Sequence, residues 1–167
     1  KIDKINYKKN NNFITNLNIS GIFSVNGKLI LNNFSIMEKK NKIKITNLVL
    51  DKNNLLVKLD KANFDYIDTE NKQNQFQIKR QEKNNYKLSG LFLNANTIVS
   101  NLLNNDEKNE RELLKNNINI ILNLNKVYLD DINLIKNLQG FAFIKNNKVN
   151  ETNLSANFDN KNHLSLT

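Results

Sequence analysis

The sequence predicts a mainly β fold: long antiparallel strands in a curved, repeat-like sheet, an open groove or half-barrel, with one short amphipathic helix near residues 95–104. Three observations carry this expectation. Apolar and polar residues alternate through run after run, the period of a strand with one wet face. A small pattern of an apolar residue, a polar residue, Gly and then apolar residues including Phe occurs three times: Ile19-Ser20-Gly21-Ile22-Phe23, Leu88-Ser89-Gly90-Leu91-Phe92 and Leu138-Gln139-Gly140-Phe141-Ala142-Phe143. It uses three of the four glycines, and Gly inside a strand marks a bend or a close approach of another backbone. Finally, Asn-Asn pairs, each preceded by Lys, punctuate the chain at Asn53-Asn54, Asn84-Asn85 and Asn146-Asn147; Asn tolerates the left-handed conformation that hairpin turns need.

The elements follow in order. Residues 13–25 alternate with Phe13, Thr15, Leu17, Ile19, Gly21, Phe23 and Val25 on one side, which predicts a strand. Asn26-Gly27 follows at once and is the preferred pair for a two-residue type I′ hairpin, so the chain turns back as a strand over 28–37. Further alternating runs occupy 43–50, 55–66, 76–80, 86–93, 118–129, 132–144, 149–158 and 163–166, and nearly all suit antiparallel pairing with their neighbours. One segment breaks the period. Ala95, Ile98, Val99, Leu102 and Leu103 have helical spacing, with Asn94 or Asn96 available as the cap, and the helix is expected to pack on a sheet or plug its end. The layout is therefore a strand region over 1–93, a helix and charged spacer over 94–116, and a second strand region over 117–167.

Composition bounds the function. With 167 residues, 39% hydrophobic and 25% charged, the chain is about one domain in size. It opens Lys1-Ile2-Asp3 without an initiator Met and stops in an alternating run, so it reads as a piece of a longer polypeptide. No run approaches the roughly 18–20 apolar residues of a spanning helix. The net charge of +9 and pI of 9.6 raise nucleic acid or an anionic membrane as partner. The basic residues are nearly all Lys, however, and Asn, Lys and Ile are the residues an AT-rich genome over-uses, so the charge is better assigned to codon usage and solubility than to a specific nucleic acid. Zero Cys excludes disulfides and thiolate chemistry.

Catalytic constellations are missing from the sequence. His163 is the only His and stands beside no evident acid or hydroxyl partner. Asp130-Asp131 sits between strands and reads as a turn, and Asp106, Glu107, Glu110 and Glu112, interrupted by Lys108 and Arg111, lack a calcium-loop spacing and read as a solvated face. No phosphate loop or nucleophile elbow is present, so neither an enzyme, a metal site nor a cofactor is expected. Asn-X-Ser/Thr triplets such as Asn18-Ile19-Ser20 are expected by chance at this Asn content.

From Tyr86 onward an ordered layout stands out. The strand Tyr86-Lys87-Leu88-Ser89-Gly90-Leu91-Phe92-Leu93 runs into the short helix and a charged spacer. The strand from Ile118 to Leu129 then leads through Ile132 and Leu134 to Leu138-Gln139-Gly140-Phe141-Ala142-Phe143, and the hairpin Lys145-Asn146-Asn147-Lys148 introduces the next strand. This order resembles the AsmA-like family of bacterial envelope proteins, including its YhdP-type and TamB-type branches; the first eighty residues or so fit only as more of the same strands. The resemblance implies a segment of a periplasmic protein anchored in the inner membrane of a Gram-negative bacterium. It further implies that an apolar β-groove binds and conducts phospholipid between inner and outer membrane and supports outer-membrane homeostasis. Candidate groove positions are Ile118, Ile120, Leu122 and Leu124 in one strand, Phe141 and Phe143 in the next, then Leu154, Ala156 and Phe158. The alternative is a structural or adhesive β-repeat protein of the cell surface with a dry core. Lipid species, direction of transport, protein partners and oligomeric state are not legible in the sequence.

Overall fold

A computed structural model describes residues 7–9, 12–14, 18–103, 113–158 and 163–166. Strands β1 (Tyr7–Lys9) and β2 (Asn12–Ile14) pair with each other in a small antiparallel sheet. The predicted strand over 13–25 is therefore divided: β2 pairs with β1, whereas β3 (Asn18–Val25) opens the main sheet against β4 (Lys28–Glu38), and 15–17 lie outside the described residues. The chain then adds β5 (Asn41–Asp51), β6 (Leu56–Ile67), β7 (Gln73–Glu82) and β8 (Asn85–Asn94), crosses through α1 (Asn96–Leu103), and continues as β9 (Ile118–Tyr128), β10 (Leu134–Lys145), β11 (Lys148–Asn157) and β12 (His163–Leu166). All ten strands from β3 to β12 lie side by side in sequence order, in one open curved sheet.

Every neighbouring pair in that sheet is antiparallel except one. β8 and β9 run parallel, from Asn85 opposite Asn119 to Asn94 opposite Tyr128, so the chain re-enters the sheet at the end where β8 began. A parallel pair requires a crossover connection, and α1 is part of it. The sheet is thus continuous across the predicted boundary between the two strand regions.

The turns follow backbone chemistry. Asn146 and Asn147 both take positive φ between the paired Lys145 and Lys148, the signature of a type I′ hairpin, and Asn54 and Asn84 are left-handed in their own turns. Asn26-Gly27 departs from expectation. Only Gly27 has positive φ there, and Val25 pairs with Leu29, so the turn spans three residues instead of two.

Two devices bend the strands. The repeated glycines sit at or beside register shifts: Gly21 between Ser20 and Ile22, Gly90 opposite the shift at Gln75 and Phe76, and Gly140 beside the shift between Lys136 and Gln139. At Gly140, φ is +135°, and an added Cβ would fall on the backbone carbonyl of Asn153. The second device is an Asn of positive φ in mid-strand, at Asn33, Asn47 and Asn137. Each makes the side-chain alternation skip: on β4 one face carries Leu29, Leu31, Phe34 and Ile36, and on β5 it carries Ile43, Ile45, Leu48 and Leu50, each with a step of three across the Asn. The skips on β4 and β5 are in register, with Phe34 opposite Ile45 and Leu31 opposite Leu48, so the apolar face survives the kink.

Candidate functional site

Directly paired residues share a face of a sheet, so the register defines which side chains line its concave side. Across β4, β5 and β6 the chain Ile36, Ile43, Phe64 and the chain Phe34, Ile45, Ala62 run from strand to strand, and Phe64 continues onto Phe76, whose ring stacks on it at 4.6 Å. Ile78 pairs with Leu88 and Leu88 with Leu122; Tyr86 pairs with Ile120, and Leu122 with Gly140. Leu154 lies opposite Gly140 and then pairs with Leu166 on the last strand. One face of the whole sheet is therefore apolar. The other is mostly polar, with Lys61, Lys79 and Lys87 directly opposed in a row.

The apolar face is covered at one end. Ala95, just before α1, and Val99 within it lie on Leu124, Val127, Ile135, Leu138 and Ala156, forming a tightly buried core; Leu124 is 0% exposed and Val127 2%. The helix packs on the sheet as its apolar spacing requires. Its first turn is fixed by Asn94, whose Oδ1 accepts the Asn96 N–H at 3.1 Å, and by the Ala95 N–H donated to Tyr128 O at 2.8 Å. The N-cap position itself falls on Ala95, whose O accepts the Val99 N–H at 2.9 Å, so of the two Asn expected as caps Asn94 acts from one residue earlier and Asn96 is the first helical residue.

At the other end the face is hollow. A cavity of about 350 Å3 lies among Leu56, Leu59, Ile78, Tyr86, Leu88, Ile118, Ile120 and Ile144, with Leu113, Leu114 and Asn147 at its margin. Residues 113–115 form a strap there. On one side Leu56 N–H donates to Leu113 O at 2.7 Å and Lys115 N–H to Leu56 O at 3.2 Å; on the other, Asn147 Oδ1 accepts the N–H groups of Leu113 and Leu114 at 2.9 and 2.7 Å, and its Nδ2 donates to Leu114 O at 3.1 Å. Leu56 in β6 and the β10–β11 turn stand four strand spacings apart, about 19 Å if the sheet were flat. One strand-width segment bridges them, which the curl of the sheet allows.

The positions singled out in the sequence divide. Ile118 and Ile120 line the cavity, Leu122 and Leu154 pack at the edge of the core, and Leu124 and Ala156 are sealed within it. Phe141 and Phe143 do not share this face. Phe141 pairs with Ile121 and Phe143 with Asn119, whereas Gly140, Ala142 and Ile144 are the residues opposite Leu122, Ile120 and Ile118. The two Phe side chains therefore stand on the convex side. Phe158 lies past the end of β11 and is 42% exposed. The residues missed by periodicity are those of the strap and the latch, Leu113, Leu114 and Asn147; an isolated Leu-Leu pair in a charged spacer was their one signal.

The polar groups read as scaffolding. At the end of the sheet beside α1, Asp68 accepts from the Asn74 and Asn94 amides at 2.9 and 2.7 Å and from the N–H groups of Glu70 and Lys72, both at 2.9 Å. Burial works to raise the Asp68 pKa, and these hydrogen bonds outweigh it, holding the carboxyl below its ordinary value. Glu70 in turn accepts from Asn94 and Asn96. Asp130 accepts from the Ile132 and Asn133 N–H groups at 2.8 and 2.6 Å, as a turn residue does. His163 Nδ1 lies 3.1 Å from Asn157 Oδ1 on the exposed edge. The acidic run at 106–112 lies outside the described residues. Among the described residues no group of three or more His, Cys, Asp and Glu could hold a metal, and no helix is long and apolar enough to cross a membrane.

Fold and site together define a class: an open, curved β-sheet whose concave side is apolar, sealed by a helix at one end and hollow beneath a strap at the other. The chain matches no family model, no curated protein and no solved structure.

Proposed function

We propose that the chain is a segment of an AsmA-like envelope protein whose concave apolar face takes up the acyl chains of phospholipid and shelters them between inner and outer membrane. The observation that carries this reading is the unbroken apolar register from β4 to β12, half-buried along β4–β7 and hollow at the 350 Å3 cavity. A face of this kind stabilises lipid by about 0.8 kcal/mol for each methylene withdrawn from water, with no catalyst. Water stays on the opposite, lysine-bearing face.

A structural or adhesive β-repeat protein is the second reading, favoured by the dry core under α1, where Leu124 and Val127 admit no ligand. One experiment separates the two. A photoreactive residue is placed at Ile45 or Ile120 on the concave face and at Phe143 or Lys126 on the convex face, the protein is irradiated in cells, and attached lipid is identified by mass. Adducts at Ile45 and Ile120 with none at the convex positions are expected. A folded protein with no adduct on the concave face would overturn the lipid reading and return the function to the outer surface.

A further inference from the structure

Under the strap, two pockets of opposite character adjoin. The apolar cavity of about 350 Å3 shares Leu114 and Asn147 with a polar pocket of about 200 Å3, which Lys115, Asn116, Asn117 and Asn146 line. We propose that this pair of pockets binds a single-chain amphiphile, one saturated acyl chain of roughly a dozen carbons in the cavity with an anionic oxygen head against Lys115 and its neighbouring asparagines, and that Asn147 latches the strap that shuts the chain in. The proposal rests on the reading that the concave face receives acyl chains, and narrows it at this site from a diacyl to a monoacyl ligand.

Volume sets the chain. An apolar cavity of ~150 Å3 takes a six-carbon ring, so about 350 Å3 takes roughly a dozen carbons and is far too small for two full-length chains. Chemistry sets the head. Lys115 and four side-chain amides offer N–H donors to a carboxylate or phosphate, and although Lys115 pairs with the buried Asp51 at 3.3 Å, its own side chain is half-exposed and within reach of a ligand's oxygens. Attachment sets the gate. The strap is held at one margin by Leu56 backbone bonds and at the other by the Asn147 side chain, which contributes two acceptor bonds and one donor bond, while just beyond it Asn117 Oδ1 accepts the Asn146 N–H at 3.2 Å. Removing that side chain frees one margin of the strap and leaves the sheet beneath it paired.

The test displaces a dansyl-labelled undecanoate from the purified chain with saturated fatty acids of six to eighteen carbons, with lauroyl lysophosphatidylglycerol, and with a diacyl phosphatidylglycerol. Affinity should rise roughly fourfold per methylene and flatten near twelve carbons. Dodecanol should compete at least tenfold more weakly than dodecanoate. Whichever of dodecanoate and the lysolipid competes better identifies the head as free acid or lipid phosphate. Asn147→Gly, which keeps the left-handed backbone of the turn, should speed probe release at least tenfold. Affinity that climbs without a break past sixteen carbons, or release unchanged in Asn147→Gly, overturns the proposal. In the unsubstituted chain, a dodecanoate with a diazirine at its tail should label cavity residues. Labelling confined to β4 and β5 would reject the cavity and keep the broader lipid reading, while absence of any label, with no competition by the diacyl lipid, would reject both.

Discussion

At the scale of single residues, buried polarity is spent on holding turns and not on chemistry. Asn74 is 1% exposed, and its amide donates to Asp68 while its Oδ1 accepts the Asn94 N–H at 2.8 Å, so one carboxylate ties the β6–β7 turn to the start of α1. Asp68→Ala removes four accepted hydrogen bonds and leaves the buried Asn74 amide to its longer bond with the Lys72 carbonyl at 3.3 Å, at a cost of about 2–3 kcal/mol in urea unfolding at neutral pH. The pH dependence has a fixed sign. A carboxyl with a folded-state pKa below its unfolded value of about 3.9 contributes stability that is complete above that value and is lost as pH falls through the folded one. The chain should therefore lose stability below about pH 4, and Asp68→Asn should lose less over the same interval; parallel losses in both would assign the acid limb to other carboxylates. Small residues decide packing in the same way. Gly140 stands on the concave side where the Asn153 carbonyl approaches its backbone and leaves no room for a Cβ, and the bulky Phe141 and Phe143 on either side of Ala142 are turned outward.

At the scale of elements, the strands were legible and their faces only partly so. Alternation located every strand of the main sheet, and the Asn-Asn pairs marked three of its turns, because a two-residue period and a left-handed turn residue are local properties. What escaped was the skip at a mid-strand Asn, for which strict alternation has no place. The sequence does carry a signal: Leu31-Asn32-Asn33-Phe34, Ile45-Thr46-Asn47-Leu48 and Ile135-Lys136-Asn137-Leu138 all read apolar, polar, Asn, apolar, with the two apolar residues on one face. Likewise the parallel β8–β9 junction depends on where the chain re-enters the sheet after α1, which no local period encodes. The kink predicts a substitution pattern. Asn137 has φ of 54°, so Asn137→Val, whose branched side chain crowds the left-handed conformation, should lower stability by about 1–2 kcal/mol, while Asn137→Gly should change it by less than about 0.5 kcal/mol. Thermal unfolding of the two variants decides it; equal losses would mean that the Asn side chain, and not the backbone angle, holds the kink.

At the scale of the whole molecule, stability and emptiness are separated along the same face. The buried cluster lies under α1 on β9, β10 and β11, whereas β4 to β7 present half-buried apolar side chains, and the outermost strand β12 is exposed throughout. Local unfolding follows buried apolar contact, so amide exchange should be slowest at Leu124, Val127 and Leu138 and should quicken stepwise toward β3 on one side and β12 on the other. A sheet that exchanged everywhere at one rate would instead be a single cooperative unit, and the gradation would be wrong. The same measurement reads function. A ligand stabilises the part of the protein it contacts by mass action, and the sealed core has no room for one. Acyl chains added in excess should therefore slow exchange in β4–β7 and at residues 113–115, where apolar surface is open, and leave β10 near Leu138 unchanged. Protection gained only in the sealed core would contradict a lipid-bearing face, because the hollow and half-open half of the sheet is where a guest has apolar surface to cover.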